Sequence, residues 1–336
     1  MIDLRSDTVT KPGKAMLTAM NQAKVGDDVY GEDPSINSLE YLCAQMLGKD
    51  AAIFAPSGTQ SNLLALMSHC QRGDEFIVGQ QAHTYRYEAG GAAVLGSIQP
   101  QPIENLADGS LDLSDVENNI KADDIHFAKT RLLCQENTHA GMALPMEYLA
   151  KSYQLSKRRQ LAHHLDGARI FNAAVKHKID VRQIADHFDS ISVCLSKGLG
   201  APVGSVLCGS DALIDAARRN RKMLGGGMRQ AGILAAAGIY ALENNIQRLA
   251  NDHEKAQRLA QGLSNIDELK IRYTANQTNM VFVEIIDHSD HEFVEHMKQH
   301  GILLSGRYNL RLVTHLDISN QEIEYTIKKF EDYFRK

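Results

Sequence analysis

The sequence predicts an α/β protein with a smaller α+β domain at its C-terminal end. Short apolar runs typical of buried strands, such as residues 51–55 and 190–195, alternate with helical patterns over most of the chain. A long alanine-rich helical pattern then covers residues 230–263. After it come three predicted strands, at 270–273, 280–285 and 310–313, and two helices, at 290–300 and from Ser319 onward. This change of order is typical of a separate α+β unit.

Composition limits the classes of function. The chain has 336 residues, enough for about two domains, with 43% hydrophobic and 23% charged residues. A net charge of −5 offers no basic surface, so we expect no nucleic-acid partner. The first ten residues, MIDLRSDTVT, lack a basic-then-apolar signal, and no apolar run is long enough to cross a bilayer. Five cysteines without CxxC spacing predict reduced thiols in a cytoplasmic protein, with no metal site.

Residues 1–35 predict an N-terminal arm. They are dense in Asp, Gly, Thr and Pro, and they contain no amphipathic segment longer than residues 14–24. Such a segment either frays or lies against another surface, and a neighbouring subunit is a plausible one. Val25, Val29 and Tyr30 weaken the alternative of a floppy tail, because apolar side chains stand among the turn residues.

A candidate anion site follows the first buried strand. A helix is predicted from Ser35 to Leu47 and ends at Gly48, and the strand at 51–55 then leads to Ser57, Gly58 and Thr59 at the start of a second helix. Free backbone N–H groups and the helix dipole at that terminus favour a phosphate group. The alternative is that these small polar residues only cap the helix.

A candidate working histidine, His83, follows the next strand, at 75–79. The loops after the strands of α/β enzymes often carry functional residues. A histidine at this place can stack on a flat ring or move a proton near neutral pH, although a half-exposed loop histidine is the simpler interpretation. Further strands are predicted at 94–98 and 125–133, and His126 lies at the start of the second.

An acid and an amine end two later strands. Asp166 follows the apolar run at 160–165, and Lys197 follows the run at 190–195, about thirty residues further on. Burial lowers the pKa of a lysine and leaves an amine able to form a Schiff base. Pyridoxal 5'-phosphate (PLP) needs such a lysine for its aldehyde and a carboxylate for its pyridine nitrogen. Alone, Asp166 could cap a helix and Lys197 could be a surface lysine; the pair predicts PLP.

Cations near the C-terminal half complete the set of candidates. The run KMLGGGMR, from Lys222 to Arg229, predicts a loop close to an anion, in this or an adjacent subunit, although a plain flexible loop fits equally well. Arg311 is the one charge in the strand-like run LRLVTHL. It could bind a carboxylate through two parallel hydrogen bonds, or it could be an edge-strand cation in water.

Nine motifs in order resemble those of one enzyme family. They are LRSDTVT, GDDVYGEDP, SGTQSN, HTYRYEAGG, ENTH, LDGARIFNA, CLSKGLGAPVGS, GGGMRQAG and LRLVTHL. Together they resemble the L-threonine aldolases of the low-specificity or L-allo-threonine kind, within the fold-type I PLP enzymes. The resemblance implies an arm (1–35), a large PLP-binding domain with a mostly parallel seven-stranded sheet (36–245) and a small domain (246–336). It also implies a homotetramer, a dimer of dimers with shared active sites.

The resemblance implies cleavage of L-threonine, L-allo-threonine and other β-hydroxy-α-amino acids, which gives glycine and, from the two threonines, acetaldehyde. Lys197 would form the Schiff base with PLP, Asp166 would pair with the pyridine nitrogen, and His83 would stack on the ring near the substrate hydroxyl. His83 or His126 would act as the base. The remaining implied roles are phosphate binding (Gly58, Thr59, Lys222, Arg229), carboxylate binding (Ser6, Arg169, Arg311, with Arg169 also near the ring hydroxyl) and contact with the substrate side chain (Tyr87, His126).

Other functions remain to be weighed. A β-eliminating lyase or an aminotransferase would share Asp166 and Lys197. A nicotinamide dehydrogenase is disfavoured because no GxGxxG follows the first strand. A non-catalytic scaffold would be a colourless protein.

Overall fold

The computed structural model describes residues 1–286, 289–306 and 309–335. The strands are β1 (Ile2–Asp3), β2 (Ala51–Ala55), β3 (Asp74–Gly79), β4 (Gln99–Ile103), β5 (Lys129–Glu136), β6 (Ala162–Asp166), β7 (Ser190–Cys194), β8 (Ser205–Gly209), β9 (Leu269–Arg272), β10 (Met280–Ile285), β11 (Ile302–Leu303) and β12 (Leu310–Val313). The helices are α1 (Lys14–Asn21), α2 (Pro34–Leu47), α3 (Gly58–His69), α4 (His83–Arg86), α5 (Gly91–Val94), α6 (Leu113–Asn119), α7 (Met146–Arg158), α8 (Ile170–His177), α9 (Val181–Ala185), α10 (Asp211–Met223), α11 (Gly232–Asn244), α12 (Leu249–Leu263), α13 (Asp290–Gln299) and α14 (Asn320–Phe334).

The central sheet has seven strands in the order β2-β8-β7-β6-β5-β3-β4. Strand β8 runs antiparallel to β2 and β7, and the other pairings are parallel. The predicted α/β fold with a mostly parallel seven-stranded sheet is therefore confirmed. Because parallel strands end at one edge, the residues that follow β3, β5, β6 and β7 meet there.

The sheet is buried on both faces. All five residues of β7 are buried, and the apolar side chains of β2, β6, β7 and β8 pack against α2, α8 and α11 in one contiguous core. Helix α2 begins at its N-cap Asp33, whose carboxylate accepts from the amides of Ser35 and Ile36. It ends at Gly48, which adopts a φ of 63° as the predicted helix stop.

The strand predicted at 94–98 is wrong. Residues 91–94 form the short helix α5, Ser97 has a φ of 53°, and the strand follows as Gln99–Ile103. This strand reads QPQPI, and its two prolines argue against a central strand. Strand β4 lies at the edge of the sheet, where a proline nitrogen facing outward has no ladder hydrogen bond to lose.

The helix predicted over 230–263 is two helices, α11 and α12. The chain turns between them at Asn245, whose side-chain amide donates to the carbonyl of Leu199 at 2.7 Å. This bond ties the turn between the two helices to the loop after β7. The turn directs α12 toward the C-terminal sheet.

Residues 1–35 lie against their own chain. Strand β1 pairs with β11, and Ile2 and Leu4 belong to the apolar core of the C-terminal part. Helix α1 packs on α11 and buries Met16 in the core of the central sheet. Val25, Val29 and Tyr30, in contrast, stay exposed.

The C-terminal part contains the antiparallel sheet β12-β10-β9, with α12 and α14 packed beside it. Its core includes Phe293 and Phe330, whose rings meet edge to face at 4.7 Å. Helix α14 begins with a capping box formed by Ser319 and Glu322. Among the described residues, no helix is long and apolar enough to cross a membrane.

Replacing Ser319 by Ala should destabilise the protein. The Ser319 hydroxyl accepts from the amide of Glu322 at 3.2 Å, and its loss leaves that amide without its cap. We expect the free energy of unfolding to fall by about 0.5–2 kcal/mol in urea titrations followed by circular dichroism. Ser38→Ala, inside α2, is the matched control and should cause no loss, because alanine is the better helix former. A Ser319→Ala variant as stable as the wild type would contradict the role of the cap.

Candidate active site

A cavity of about 680 Å³ opens at the carboxyl edge of the central sheet. It lies between the loops after β3 and β5 and the strands β9, β10 and β12. Residues predicted for the site line it, namely His83, Tyr87, Arg169 and Arg311. A larger cavity of about 950 Å³ lies between α2, α8, α9 and α11, away from these residues. We assign the active site to the smaller cavity, because buried ionisable groups converge there.

Asp166 is the last residue of β6 and is buried. Its two carboxylate oxygens accept one hydrogen bond each, from the backbone amide of Ala168 at 3.0 Å and from the side-chain amide of Asn62 at 2.9 Å. Burial raises its pKa, the charge of Glu136 adds to this, and the charge of Lys197 opposes it. No cation among the described residues lies within 4.0 Å of this carboxylate.

Lys197 follows β7, the strand next to β6 in the sheet. Its backbone carbonyl accepts from the hydroxyl of Thr10 at 3.1 Å and from the amide of Gly200 at 2.8 Å, and these two bonds fix the turn. Its ammonium group has no hydrogen-bond partner in the described part of the chain. The charge of Lys197 nevertheless acts on Asp166, Asp7 and His83, so the structure brings the predicted amine and acid together.

His83 begins α4, which follows β3 after a short loop at residues 80–82. Its Nδ1 lies 2.9 Å from a carboxylate oxygen of Glu88, and this hydrogen bond raises its pKa. Ligand atoms of His83, Glu88 and Asp166 all lie within 4.8 Å of one another. The ring of His83 therefore stands beside the carboxylate of Asp166, as expected for a group that covers a ring bound between Asp166 and Lys197.

A second acid–histidine pair lines the cavity. Glu136 ends β5, and a carboxylate oxygen of it accepts from the backbone amide of His83 at 2.9 Å and lies 3.5 Å from Nδ1 of His139. Burial opposes ionisation of Glu136, but the contacts with His139 and His83 outweigh it and lower its pKa. The bond from the His83 amide to Glu136 fixes the start of α4, and therefore the position of His83.

Arg169 is anchored by a residue of the N-terminal arm. It donates from Nε and Nη2 to the two carboxylate oxygens of Asp7, at 2.7 and 2.5 Å. Burial alone would raise the pKa of Asp7, but the charge and hydrogen bonds of Arg169 lower it to about 2. The arm is therefore part of the site.

Arg311 and Ser6 lie beside this pair. Arg311 donates from Nη2 to the carbonyl of Arg5 at 3.3 Å, and it makes no ion pair with a described carboxylate. Ser6 stands in the chain between Arg5 and Asp7, the residues that contact Arg311 and Arg169. One segment of the arm thus connects all three residues predicted to bind a carboxylate.

The side wall is partly aromatic. Tyr87 is exposed, and its ring centroid lies 5.7 Å from that of His83. On the opposite wall the guanidinium of Arg272 covers the ring of Phe282 at 4.0 Å. Residues Arg272, Phe282 and Arg311 are register partners across β9, β10 and β12, so their side chains share one face of that sheet.

The predicted anion site lies at the N-terminus of α3. Ser57 is the N-cap and accepts from the amide of Gln60 at 3.1 Å, so the amides of Gly58 and Thr59 precede the first bonded turn. A Cβ on Gly58 would lie 2.7 Å from the sulfur of Cys194, which explains the glycine. Residues 225–227, the glycine loop, pack against this helix terminus. A Cβ on Gly226 would lie 1.8 Å from the Gln60 side-chain oxygen, so there is no room for a side chain.

Three predicted residues stand apart from these contacts. Lys222 and Arg229 flank the glycine loop with exposed side chains, and Arg229 pairs with Asp27 at 2.9 Å. His126 precedes β5 in an exposed loop, where its Nδ1 lies 2.6 Å from Asp124. The described chain therefore does not bring His126 to the cavity.

Five site residues lie in motifs that the sequence analysis noted without giving them a role. They are Asp7, Asn62, Glu88, Glu136 and His139. The signal available was position: each stands within a few residues of Ser6, Thr59, His83 or the end of a strand. Their partners could not be identified, because Asp7 and Arg169 are 162 positions apart.

The chain is similar to known proteins over nearly its whole length. Residues 3–286 match the family model described as beta-eliminating lyase. The chain is 55% identical to the low specificity L-threonine aldolase of Escherichia coli (strain K12), over 96% of each chain. It is 43% identical to the probable low-specificity L-threonine aldolase 2 of Arabidopsis thaliana, over 99% of this chain and 97% of that one. The structure of the threonine aldolase of Leishmania major matches with a TM-score of 0.85 and 21% identity, over 99% of this chain and 100% of that one.

Replacing Glu88 by Gln should lower the pKa of His83. The carboxylate of Glu88 accepts from the His83 ring and stabilises its protonated form, whereas a neutral amide would not. The measurement is an NMR titration of the His83 ring protons against pH, in which the midpoint should move to lower pH. Glu147→Gln removes an exposed carboxylate on α7 and is the control. An unchanged midpoint in Glu88→Gln would contradict the assigned pair.

Proposed function

Because the chain belongs to the beta-eliminating lyase family and, within it, to the low-specificity L-threonine aldolases, we propose that it cleaves L-threonine and L-allo-threonine to glycine and acetaldehyde with PLP. We extend this to other β-hydroxy-α-amino acids, which would give glycine and the matching aldehyde. The observation that supports it best is the convergence of Lys197, Asp166 and His83 on one edge of the sheet. A cytoplasmic location is also proposed, and five cysteines with free thiols are consistent with it.

The residues present fit PLP. Asp166 is a buried carboxylate whose two hydrogen bonds leave lone pairs for a protonated pyridine nitrogen. Lys197 offers an amine without a partner among the described residues, and the amides of Gly58 and Thr59 suit a phosphate. The buried side-chain oxygen of Gln60 beside them has no partner in the described structure. An amine, an acid and an anion site are the three contacts this cofactor needs.

PLP supplies an electron-withdrawing ring that weakens the bonds at the substrate's α-carbon. In our proposal Nζ of Lys197 would hold the cofactor through a Schiff base. The carboxylate of Asp166 keeps the pyridine nitrogen protonated, which makes the ring a stronger acceptor. The amine of Lys197 would also serve in the release of glycine.

Two arginines would hold the substrate's carboxylate. Arg311 has a guanidinium without a carboxylate partner among the described residues, and it donates to the carbonyl of Arg5, the chain neighbour of Ser6. Arg169 is already bonded to Asp7, so we assign it to orient the ring hydroxyl and the carboxylate from one side. Gripping the carboxylate fixes the angle between the bond to be broken and the ring, so much of the rate is positional.

His83 is the proposed base. Its Nδ1–H is directed at Glu88, which leaves Nε2 free to accept the proton of the β-hydroxyl, directly or through water. Tyr87 beside it would contact the substrate side chain. His126 would take part only if its loop moves inward or serves the site of another subunit, because in its own chain it faces Asp124.

We also propose a homotetramer, a dimer of dimers with shared sites. Val25, Val29 and Tyr30 are exposed, and Val29 lies beside the glycine loop, 3.8 Å from the Cβ position of Gly227. A partner subunit would cover this apolar patch. Lys222 and Arg229, at the same surface, would add positive charge to the phosphate site.

Threonine cleavage with Lys197→Ala tests this function. The purified wild type with PLP should release acetaldehyde and glycine in equal amounts from L-threonine, and the variant should lose at least about a thousandfold in kcat because the amine that holds the cofactor is gone. Lys178→Ala, on the surface after α8, is the control. Amino transfer to a keto acid without aldehyde would favour an aminotransferase, and turnover by Lys197→Ala would refute the assigned amine.

Replacing Arg311 by Ala should mainly weaken substrate binding. Removing a hydrogen bond to a charged group costs about 1.5–3 kcal/mol, so KM for L-threonine should rise about ten- to a hundredfold, with a smaller change in kcat. Steady-state kinetics give both constants. Arg258→Ala, on the outer face of α12, should leave them unchanged. An unaltered KM in Arg311→Ala would show that the substrate's carboxylate binds elsewhere.

A further inference from the structure

A polar chain runs through the interior beneath Asp166. It joins His69, Ser190, His164 and Asn62 to the two carboxylates of Asp166 and Glu88. The side chains of Asn62, His164 and Ser190 are buried. None of these three side chains lines the cavity, so the proposed threonine cleavage does not explain why this polar chain is present.

Asn62 is the branch point. Its side-chain nitrogen lies 2.9 Å from an oxygen of Asp166 and 2.9 Å from an oxygen of Glu88. An amide has two N–H groups, and here each is directed at a different carboxylate. The opposite orientation would turn the amide oxygen toward two anions and leave both without this donor. Only one orientation of the Asn62 side chain therefore fits.

His164 holds that orientation. Its Nε2 lies 3.3 Å from the side-chain oxygen of Asn62, and its Nδ1 lies 2.8 Å from the hydroxyl of Ser190. Because Asn62 needs a donor at its oxygen, His164 carries its proton on Nε2, and Nδ1 accepts from Ser190. The Ser190 oxygen then accepts from Nε2 of His69, at 2.7 Å. Every member of the chain has one consistent role.

The fold aligns these groups. His164 and Asp166 are two residues apart on β6, so their side chains lie on the same face, and Ser190 is the register partner of His164 on β7. Helix α3 packs over this face and brings Asn62 onto it. Both histidines are neutral near pH 7, since burial lowers the pKa of His69 to about 4 and that of His164 to about 3. The polar chain therefore directs N–H dipoles at the two carboxylates and adds no net charge.

We propose that Asn62, held by His164 and Ser190, is a positioning residue that aims the Asp166 carboxylate at the cofactor's pyridine nitrogen and keeps it ionised beside Glu88. Two buried carboxylates this close repel each other, and each favours protonation of the other. A shared donor stabilises both as anions. A protonated Asp166 would have no negative charge with which to stabilise a protonated ring nitrogen. This inference rests on the proposed function, because it assumes PLP at Asp166.

The test is PLP binding to the purified wild-type chain and to Asn62→Ala, measured by fluorescence titration of the cofactor-free protein. Loss of a hydrogen bond to a buried carboxylate should weaken PLP affinity about ten- to a hundredfold at neutral pH. The visible circular dichroism of the bound cofactor should also change, because Asp166 no longer holds the ring at one angle. Asn220→Ala is the matched control. The Asn220 side-chain amide donates to the hydroxyl of Ser68 at 3.2 Å, and Ser68 lies on α3, the helix that carries Asn62. Asn220→Ala should leave both readouts within about twofold of the wild type.

Ser190→Ala is the second variant. It keeps Asn62 but removes the acceptor of His69 and the donor to His164, so it should shift both readouts in the same direction by a smaller amount. If Asn62→Ala does not fold, Ser190→Ala decides alone. Wild-type affinity and an unchanged dichroism spectrum in the folded variants would overturn the inference. A wild-type chain that binds no PLP would instead overturn the proposed function, and the inference with it.

Discussion

The site depends on keeping buried carboxylates ionised at one edge of the sheet. Burial disfavours the charged form of each, so each needs a compensating partner. Asp7 has Arg169, Glu136 has His139 and the amide of His83, and Glu88 has His83 and Asn62. Asp166 differs from the others: it has two hydrogen-bond donors but no cation within ion-pair distance among the described residues. Asp166 is therefore the carboxylate left to pair with a cation that the described residues do not supply.

The strand order of the central sheet determines where Asp166 lies. Strands β6 and β7 are parallel neighbours, so Asp166 and the turn that carries Lys197 leave the sheet side by side. The same edge receives α4 with His83 from β3 and Glu136 from β5. The smaller sheet closes the cavity with Arg311, and the N-terminal arm ties Arg311 and Arg169 to one segment. The geometry of the site is thus a consequence of parallel strands that end together, closed by two segments from the ends of the chain.

The sequence predicted the residues whose position along the chain is itself the signal. Asp166, Lys197 and His83 each follow a strand that periodicity alone identifies, and Arg311 is a charge inside an apolar strand. Partners could not be predicted, because Asp7–Arg169 and Asn62–Asp166 join residues 162 and 104 positions apart. Strand β4 was misplaced for a related reason. Whether its prolines are tolerated depends on the strand order, which shows β4 at the edge.

In the proposed site, one lysine and one acid would hold opposite ends of a single cofactor ring. Borohydride reduction of the PLP-loaded protein, followed by peptide mass spectrometry, tests it most directly, because reduction makes the bond between cofactor and amine permanent. We expect a pyridoxyl group on Lys197 in the wild type, and loss of that label in Lys197→Ala. A label on another lysine, or none on a protein that still cleaves threonine, would contradict it.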